Sequence, residues 1–350
     1  MVQRVSSVAT VALVCAVSVH AAGLNGEAID VDARTLPRLH SLLVSQHGEL
    51  IFERYYNGRK PGQPENIKSA SKSIISTLVG MAIERGLIDD VRTPIVTFFP
   101  ELARDPDAGK RAITIEDLLT MRSGLEGTSN RNYGAWVTSR NWVQHALARP
   151  MFAPPGAIME YSTGNSHLLS AILTKASGRS TWQFANEALG APLGFAFPQW
   201  PRDPQGIYFG GNDMLMTPRQ MIEFGELYLH RGRASGRQVV SERWVAKSCE
   251  GRAREFRPGD RRADPGRVDE IPDPTRDRRY GYLWWVYEIG GHDTCFAWGY
   301  GGQYIFVVFD LDLVIVTTAS PDVSEERRGH RQRVFDILLR YVVAPLSATR

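Results

Sequence analysis

Residues 69–85 read SASKSIISTLVGMAIER, an apolar run that opens with a serine and has a lysine three residues later. The pattern predicts an amphipathic helix from Ser69 to Arg85, ended by Gly86. Side chains three residues apart lie on the same face of a helix, with Cβ atoms about 5–6 Å apart. Ser69 and Lys72 therefore place a hydroxyl beside an amine. A neutral amine there can accept the hydroxyl proton, which makes the serine a nucleophile.

Strand-like runs stand near both ends of the chain: 41–44, 50–56, 303–309 and 313–318. Turns at 47–48 and 310–312 join them into two predicted hairpins, and a helix from about 325 to 343 closes the chain. Residues from about 87 to 232 read mainly as helix, and within them Gly210–Pro218 reads as scaffold, a tight turn before a capped helix. We predict an α+β fold with one antiparallel sheet, built from both chain ends and flanked by helices, and an inserted helical lobe. A pocket between sheet and lobe is the expected place for a site.

The composition is that of an ordinary globular chain, with 350 residues, 43% of them hydrophobic and 23% charged, and a net charge of +3. So small a charge argues against nucleic-acid binding. Residues 1–21 read as a signal peptide, with Arg4, a short apolar core at 8–19 and small residues before Ala22. The core is too short for stable membrane insertion. We therefore expect residues 22–350 to be exported, to the periplasm or the medium.

Two cysteines follow the leader, Cys249 and Cys295. In an oxidising compartment they form either a disulfide or two separate buried thiols, and the sequence leaves both open. Between them, residues 251–279 are rich in Arg, Asp and Pro and poor in apolar residues. The mixed signs of their charges predict a mobile, solvated surface loop rather than a polyanion site.

Two further segments bear on whether the serine–lysine pair is catalytic, because the same spacing also occurs on solvated helix faces. Tyr161 follows a turn at 154–156 and precedes a helix, so its phenol either shuttles a proton or packs on the lobe. The glycine-rich segment around Gly299 and Tyr300 leads into a strand. Its backbone N–H and that of Ser69 are suited to an oxyanion hole, the alternative being a plain glycine bulge.

In this order the segments resemble the serine β-lactamase and penicillin-binding protein superfamily, in its class C-like branch. The closer likeness is to 6-aminohexanoate-dimer hydrolases and related esterases, and it spans about residues 40–345. The matching motifs are SASKS at 69–73, LLTMRSGL at 118–125, YS at 161–162, the segment 210–218, YGYLWW at 280–285 and GYGGQ at 299–303.

The resemblance implies a β-lactamase-like fold, with residues 22–350 as one serine hydrolase domain. It implies that Ser69 is the acylated nucleophile, Lys72 its general base and Tyr161 a residue that assists proton transfer. The N–H groups of Ser69 and Tyr300 would hold the oxyanion. Tyr133 would correspond to a tyrosine that hydrogen-bonds the leaving group in the 6-aminohexanoate-dimer hydrolases.

The chain departs from this superfamily at two motifs. Thr163 stands where the Y-x-N motif has asparagine, and Ala297-Trp298-Gly299 stands where β-lactamases have K-T-G. A β-lactamase or D-Ala-D-Ala carboxypeptidase is therefore the less favoured enzyme. A non-catalytic binding protein that uses the same cleft is the alternative of another class.

The histidines show no paired metal spacing, and no phosphate or dinucleotide loop occurs. We therefore expect neither metal nor cofactor, and a small-molecule amide or ester as the substrate. The pattern specifies no oligomeric state.

Overall fold

The computed structural model describes residues 24–254, 278–324 and 329–348. The predicted signal peptide, residues 1–21, lies outside these ranges. So does the greater part of the predicted surface loop, residues 255–277. Within the described ranges, no helix combines the length and apolar character needed to span a membrane.

The strands in chain order are β1 (Leu39–Gln46), β2 (Glu49–Tyr55), β3 (Glu65–Asn66), β4 (Leu215–Met216), β5 (Arg233–Ala234), β6 (Arg237–Gln238), β7 (Ala253–Arg254), β8 (Arg279–Tyr280), β9 (Trp285–Ile289), β10 (His292–Gly299), β11 (Gln303–Val308) and β12 (Leu313–Ala319). Eight of them form one antiparallel sheet, in the order β2-β1-β12-β11-β10-β9-β8-β7. The two predicted hairpins, β1–β2 and β11–β12, lie side by side because β1 pairs with β12. The sheet is thus built from both chain ends, as predicted.

The helices are α1 (Gly26–Arg34), α2 (Ser71–Glu84), α3 (Ala108–Ala112), α4 (Ile115–Leu119), α5 (Tyr133–Val137), α6 (Trp142–Leu147), α7 (Thr163–Ser177), α8 (Thr181–Ala185), α9 (Pro218–Leu229), α10 (Glu242–Ser248), α11 (His330–Leu338) and α12 (Ala344–Ala348). Helices α3–α9 fall within residues 87–232. The last of them, α9, packs on strands β11 and β12. Its start follows from the sequence, because Thr217 caps it and Pro218 occupies its first turn.

Helix α2 is the buried centre of the fold. Every residue from 71 to 82 is buried, and the helix contacts both α7 and strand β10. A buried hydroxyl needs a hydrogen-bond partner, and those of Ser73 and Thr77 donate to the carbonyls of Leu283 and Ser73. The predicted helix from Ser69 therefore exists, but it begins with a 3₁₀ turn at Lys68–Ala70.

The two cysteines among the described residues are joined. Cys249, after α10, and Cys295, in β10, form a disulfide with their Cα atoms 5.4 Å apart, so the two thiols are not separate. The segment predicted as a surface loop, residues 251–279, is not a loop at its two ends. There β7 and β8 pair as the last strands of the sheet. Arg278, at the second of these ends, is only 8% exposed.

Gly80 lets α10 approach α2, and replacing it tests that packing. A Cβ atom at this position would lie 2.6 Å from Cγ of Trp244, whose indole is buried. Alanine improves helix propensity by about 1 kcal/mol, but overpacking of this kind costs about 1–3 kcal/mol. The balance of the two effects predicts that Gly80→Ala lowers the free energy of unfolding in urea by up to about 2 kcal/mol. Among the described residues, Gly134 in α5 has no neighbour within 4 Å of such a Cβ, so Gly134→Ala should not destabilise the protein. Equal stability of both variants would contradict the packing argument.

Candidate active site

The predicted site residues converge on one cavity of about 770 Å³ between the sheet and the helices. Four of the six line its wall: Ser69, Tyr133, Tyr161 and Tyr300. Lys72 is 1% exposed and lies behind Ser69, and Gly299 is buried beside Tyr300. A larger cavity of about 980 Å³, beside α9 and the β1–β2 turn, has none of the six in its lining. The smaller of these two cavities is therefore the candidate active site, because predicted site residues line it.

Ser69 and Lys72 are in contact. The Nζ atom of Lys72 lies 3.0 Å from Oγ of Ser69 and donates to the carbonyl of Gly211 at 2.6 Å. The ring of Tyr161 lies over the same amine, with its centroid 5.1 Å away. Lys68, just before the serine, has a φ of +49°, which is unusual for a residue other than glycine. The turn that presents Ser69 to the cavity thus carries local backbone strain of the kind that gathers at functional sites.

Burial is the dominant influence on the Lys72 amine. It lowers the pKa of Lys72 to about 7, while the Asp213 carboxylate opposes this shift. Removal from water penalises the charged form of a lysine, and a nearby carboxylate favours it. Near neutral pH a large fraction of the amine is therefore uncharged and able to accept a proton.

An ion pair that the sequence analysis missed stands at the cavity wall. Lys68 Nζ lies 2.8 Å from Oδ1 of Asp213, which also accepts a hydrogen bond from Asn66 at 2.8 Å. Asp213 and Asn212 belong to the segment 210–218, and both line the cavity. The interpretation of that segment as scaffold alone was therefore wrong. The pairing of β3 with β4 brings it to the site, and no local pattern in the sequence encodes that contact.

Aromatic rings form one side of the cavity. Tyr161 stacks on Trp285 with ring centroids 5.8 Å apart, and Trp285 lies 5.6 Å from Trp298. Arg278 contacts both indoles, with its Cζ atom 4.7 Å and 4.8 Å from their centroids. Arg278 was predicted to lie in a solvated loop, but two indole faces attract its guanidinium and bury it at the wall of the cavity.

The remaining predicted residues are Tyr133 and Tyr300, which line the cavity, and Gly299, which is buried. The Tyr133 hydroxyl accepts a hydrogen bond of 2.8 Å from Asn212. Tyr300 is 42% exposed. The turn that follows it requires glycine, because Gly301 and Gly302 have φ values of +95° and +118°. Gly299 lies so close to the carbonyl of Ile67 that a side chain would clash with it. The glycines thus bring β10 against the turn that carries Ser69.

The family model described as beta-lactamase matches residues 39–339. The 6-aminohexanoate-dimer hydrolase of Paenarthrobacter ureafaciens is 25% identical over 307 residues, which cover 83% of this chain and 74% of that protein. A D-alanyl-D-alanine-carboxypeptidase/endopeptidase, AmpH of Escherichia coli (strain K12), is 26% identical over 167 residues, or 44% of this chain and 43% of that protein.

Solved structures show the same fold. A class C beta-lactamase from Rhodobacter sphaeroides superposes with a TM-score of 0.63 at 18% identity, covering 89% of this chain and 98% of that one. The superposition bears out the predicted β-lactamase-like arrangement of a large antiparallel sheet and flanking helices.

Titration of Lys72 can be observed directly. In protein labelled with ¹³C at the lysine ε carbons, we expect one signal with a midpoint near pH 7, and its absence from Lys72→Met assigns it. Asp213→Asn should move the midpoint to lower pH, because the carboxylate that favours the ammonium is lost. A midpoint near the ordinary lysine value of about 10.4 would contradict the effect of burial.

The same shift predicts how stability depends on pH. Between pH 7 and about 10 the unfolded chain binds the Lys72 proton and the folded chain does not. The contribution of this group to the free energy of unfolding therefore rises with pH across that window. Urea unfolding of the wild type and of Lys72→Met across this pH window tests the prediction. The free energy of unfolding of the wild type should rise relative to that of the variant as pH increases.

Proposed function

Because the chain belongs to the beta-lactamase family, we propose that it is a serine hydrolase that cleaves an amide or an ester through an acyl-enzyme on Ser69. One observation carries the proposal. The Ser69 hydroxyl lies at a cavity wall, 3.0 Å from a buried amine whose pKa is near neutrality. A serine beside such an amine is an activated nucleophile.

In the proposed acylation, neutral Lys72 takes the hydroxyl proton as Oγ of Ser69 bonds to the substrate carbonyl carbon. The N–H groups of Ser69 and Tyr300 hold the resulting oxyanion. When the intermediate collapses, the bond to the leaving amine or alcohol breaks. The leaving group takes a proton delivered through Tyr161 from the Lys72 ammonium, and the acyl group remains as an ester on Ser69.

Deacylation follows the same path with water as the nucleophile. Neutral Lys72 accepts one proton of the water, relayed through the Tyr161 hydroxyl, as the water oxygen bonds to the acyl carbon. The ester bond to Oγ of Ser69 then breaks, Oγ regains its proton, and a carboxylic acid leaves. The residues that carry these steps are Ser69, Lys72 and Tyr161.

The aromatic side of the cavity supports a substrate with an apolar or aromatic portion. Trp285, Trp298 and Tyr300 line it together with Val323, an apolar side chain that is 82% exposed. Such surfaces favour flat apolar groups. The likeness to a 6-aminohexanoate-dimer hydrolase supports a linear amide, with Tyr133 as the contact to its leaving group. Ala297 and Trp298, in place of the lysine and threonine of K-T-G, weigh against a β-lactam or peptidoglycan substrate.

We also propose that the protein is exported to the periplasm or the medium. The disulfide between Cys249 and Cys295 supports this, because disulfides persist in oxidising compartments and are rare in the cytosol of mesophiles. The leader-like composition of residues 1–21 supports it independently.

Intact-mass analysis after treatment with a fluorophosphonate tests the nucleophile. We expect one adduct on the wild type and none on Ser69→Ala, with hydrolysis slowed by at least about 10⁴-fold in the variant. Ser129 is the matched control because it is another serine of the cavity wall, and Ser129→Ala should keep the adduct. A folded wild type that forms no adduct would favour the binding-protein alternative.

Trp298 tests the substrate preference. Loss of one aromatic contact costs about 0.5–1.5 kcal/mol beyond the buried area, which corresponds to roughly 2- to 12-fold in binding. We expect Trp298→Ala to raise KM for a phenylacetyl ester by that factor and to leave KM for an acetyl ester unchanged. An equal change for both esters would show that the indole does not contact the acyl group.

A further inference from the structure

His167 and Asp203 form a fully buried pair behind the cavity, each with a side chain that is 0% exposed. Nε2 of His167 lies 3.1 Å from Oδ2 of Asp203. On the other side of the ring, Nδ1 accepts a hydrogen bond from the backbone N–H of Gly210 at 3.3 Å. A nitrogen that accepts from an N–H group carries no proton. The imidazole is therefore the neutral tautomer that donates from Nε2 to the carboxylate.

The carboxylate is itself held in place. Oδ1 of Asp203 accepts two backbone hydrogen bonds of 2.9 Å, from Gln205 and Ile207. Its other oxygen is left for the imidazole. The rings of Trp142 and Phe209 pack edge-on against His167, with centroids 5.3 Å and 6.0 Å away. The pair is thus enclosed by apolar rings, where hydrogen bonds are strong and unpaired groups are costly.

The Gly210 amide links this pair to the cavity. The next residue, Gly211, accepts the 2.6 Å hydrogen bond from Nζ of Lys72. Both glycines lie so close to Ser166 of α7 that side chains there would clash, and a Cβ on Gly211 would also lie 3.1 Å from Nζ of Lys72. One turn further along α7, Ser170 donates to the carbonyl of Tyr208 at 2.7 Å. Two hydrogen bonds to α7 therefore help to fix the path from Tyr208 to Gly211, together with those that Phe209 makes to Pro201 and Trp200.

We propose that His167 and Asp203 are positioning residues for Lys72. The imidazole holds the Gly210 amide, and this places the Gly211 carbonyl that receives one N–H of the amine. A neutral amine has a single lone pair, so donating an N–H to Gly211 restricts where that lone pair points. The Ser69 hydroxyl lies 3.0 Å away. The inference rests on the proposed function only for the role of Lys72.

Two substitutions at His167 separate its two hydrogen bonds. The side-chain oxygen of asparagine can occupy the place of Nδ1 and accept from Gly210, whereas glutamine reaches Asp203 but offers Gly210 no acceptor. We expect His167→Gln to slow fluorophosphonate labelling of Ser69 by roughly 10- to 100-fold, as misplacement of a reacting group does. His167→Asn should restore the rate to within a few-fold of the wild type. KM should not change in either variant, because His167 does not line the cavity.

Asp203→Asn is the isosteric variant, and it keeps the imidazole. The two backbone donors retain the amide oxygen, so the amide NH₂ faces Nε2 of His167. The imidazole must then accept at Nε2 and carry its proton on Nδ1, where it opposes the Gly210 N–H. We expect the same loss of labelling rate as in His167→Gln. The ¹⁵N chemical shifts of the imidazole should show a proton on Nε2 in the wild type and on Nδ1 in Asp203→Asn.

Melting curves establish which variants are folded before the rates are compared. Equal labelling rates in the wild type, His167→Gln and Asp203→Asn would overturn the inference, as would a wild-type imidazole protonated on Nδ1. If His167→Gln does not fold, the labelling rate of Asp203→Asn and the ¹⁵N chemical shifts of the wild type still test the inference. A wild type without any adduct would instead refute the proposed function, which separates the two failures.

Discussion

The burial of one amine governs this structure. Lys72 lies on the most enclosed helix of the fold, between α7 and the sheet, where a full positive charge is strongly disfavoured. Its neighbours there are the Ser69 hydroxyl, the carbonyl of Gly211 and the ring of Tyr161. The fold therefore favours the neutral form of the amine and gives it a hydrogen-bond acceptor from the backbone, the carbonyl of Gly211. In the proposed mechanism, the reactivity of Ser69 is a property of the core, and the cavity provides access to it.

Sequence patterns were sufficient for what is local. The hairpins, the capped start of α9 and the serine–lysine spacing follow from periodicity, turn residues and helix geometry, all of which act within a few residues. The sheet built from both chain ends also follows, because two hairpins at opposite ends must find partners. Tyr133, Tyr161 and Tyr300, which were named from the family resemblance, all line the cavity.

The parts that escaped prediction depend on contacts between distant segments. Asp213 meets Lys68 across 145 positions of the chain, and His167 meets the Gly210 amide across 43. A glycine-rich turn has the same sequence pattern whether it serves only as scaffold or also lines a cavity. Arg278 was assigned to solvent because its neighbours in sequence are polar, but its neighbours in space are Trp285 and Trp298. The composition of a segment does not indicate which part of the folded protein that segment contacts.

The disulfide has a consequence for how this chain can change in evolution. The disulfide between Cys249 and Cys295 joins α10 to β10. The pairing of β7 with β8 is a second link within the stretch between the two cysteines. Closing a longer loop costs only about 0.6 kcal/mol for each doubling of its length. Insertions and deletions between β7 and β8 should therefore be tolerated, with Arg278 kept in register by the strand beside it. This stretch offers a place where related proteins can diverge in length without disturbing the disulfide or the cavity wall.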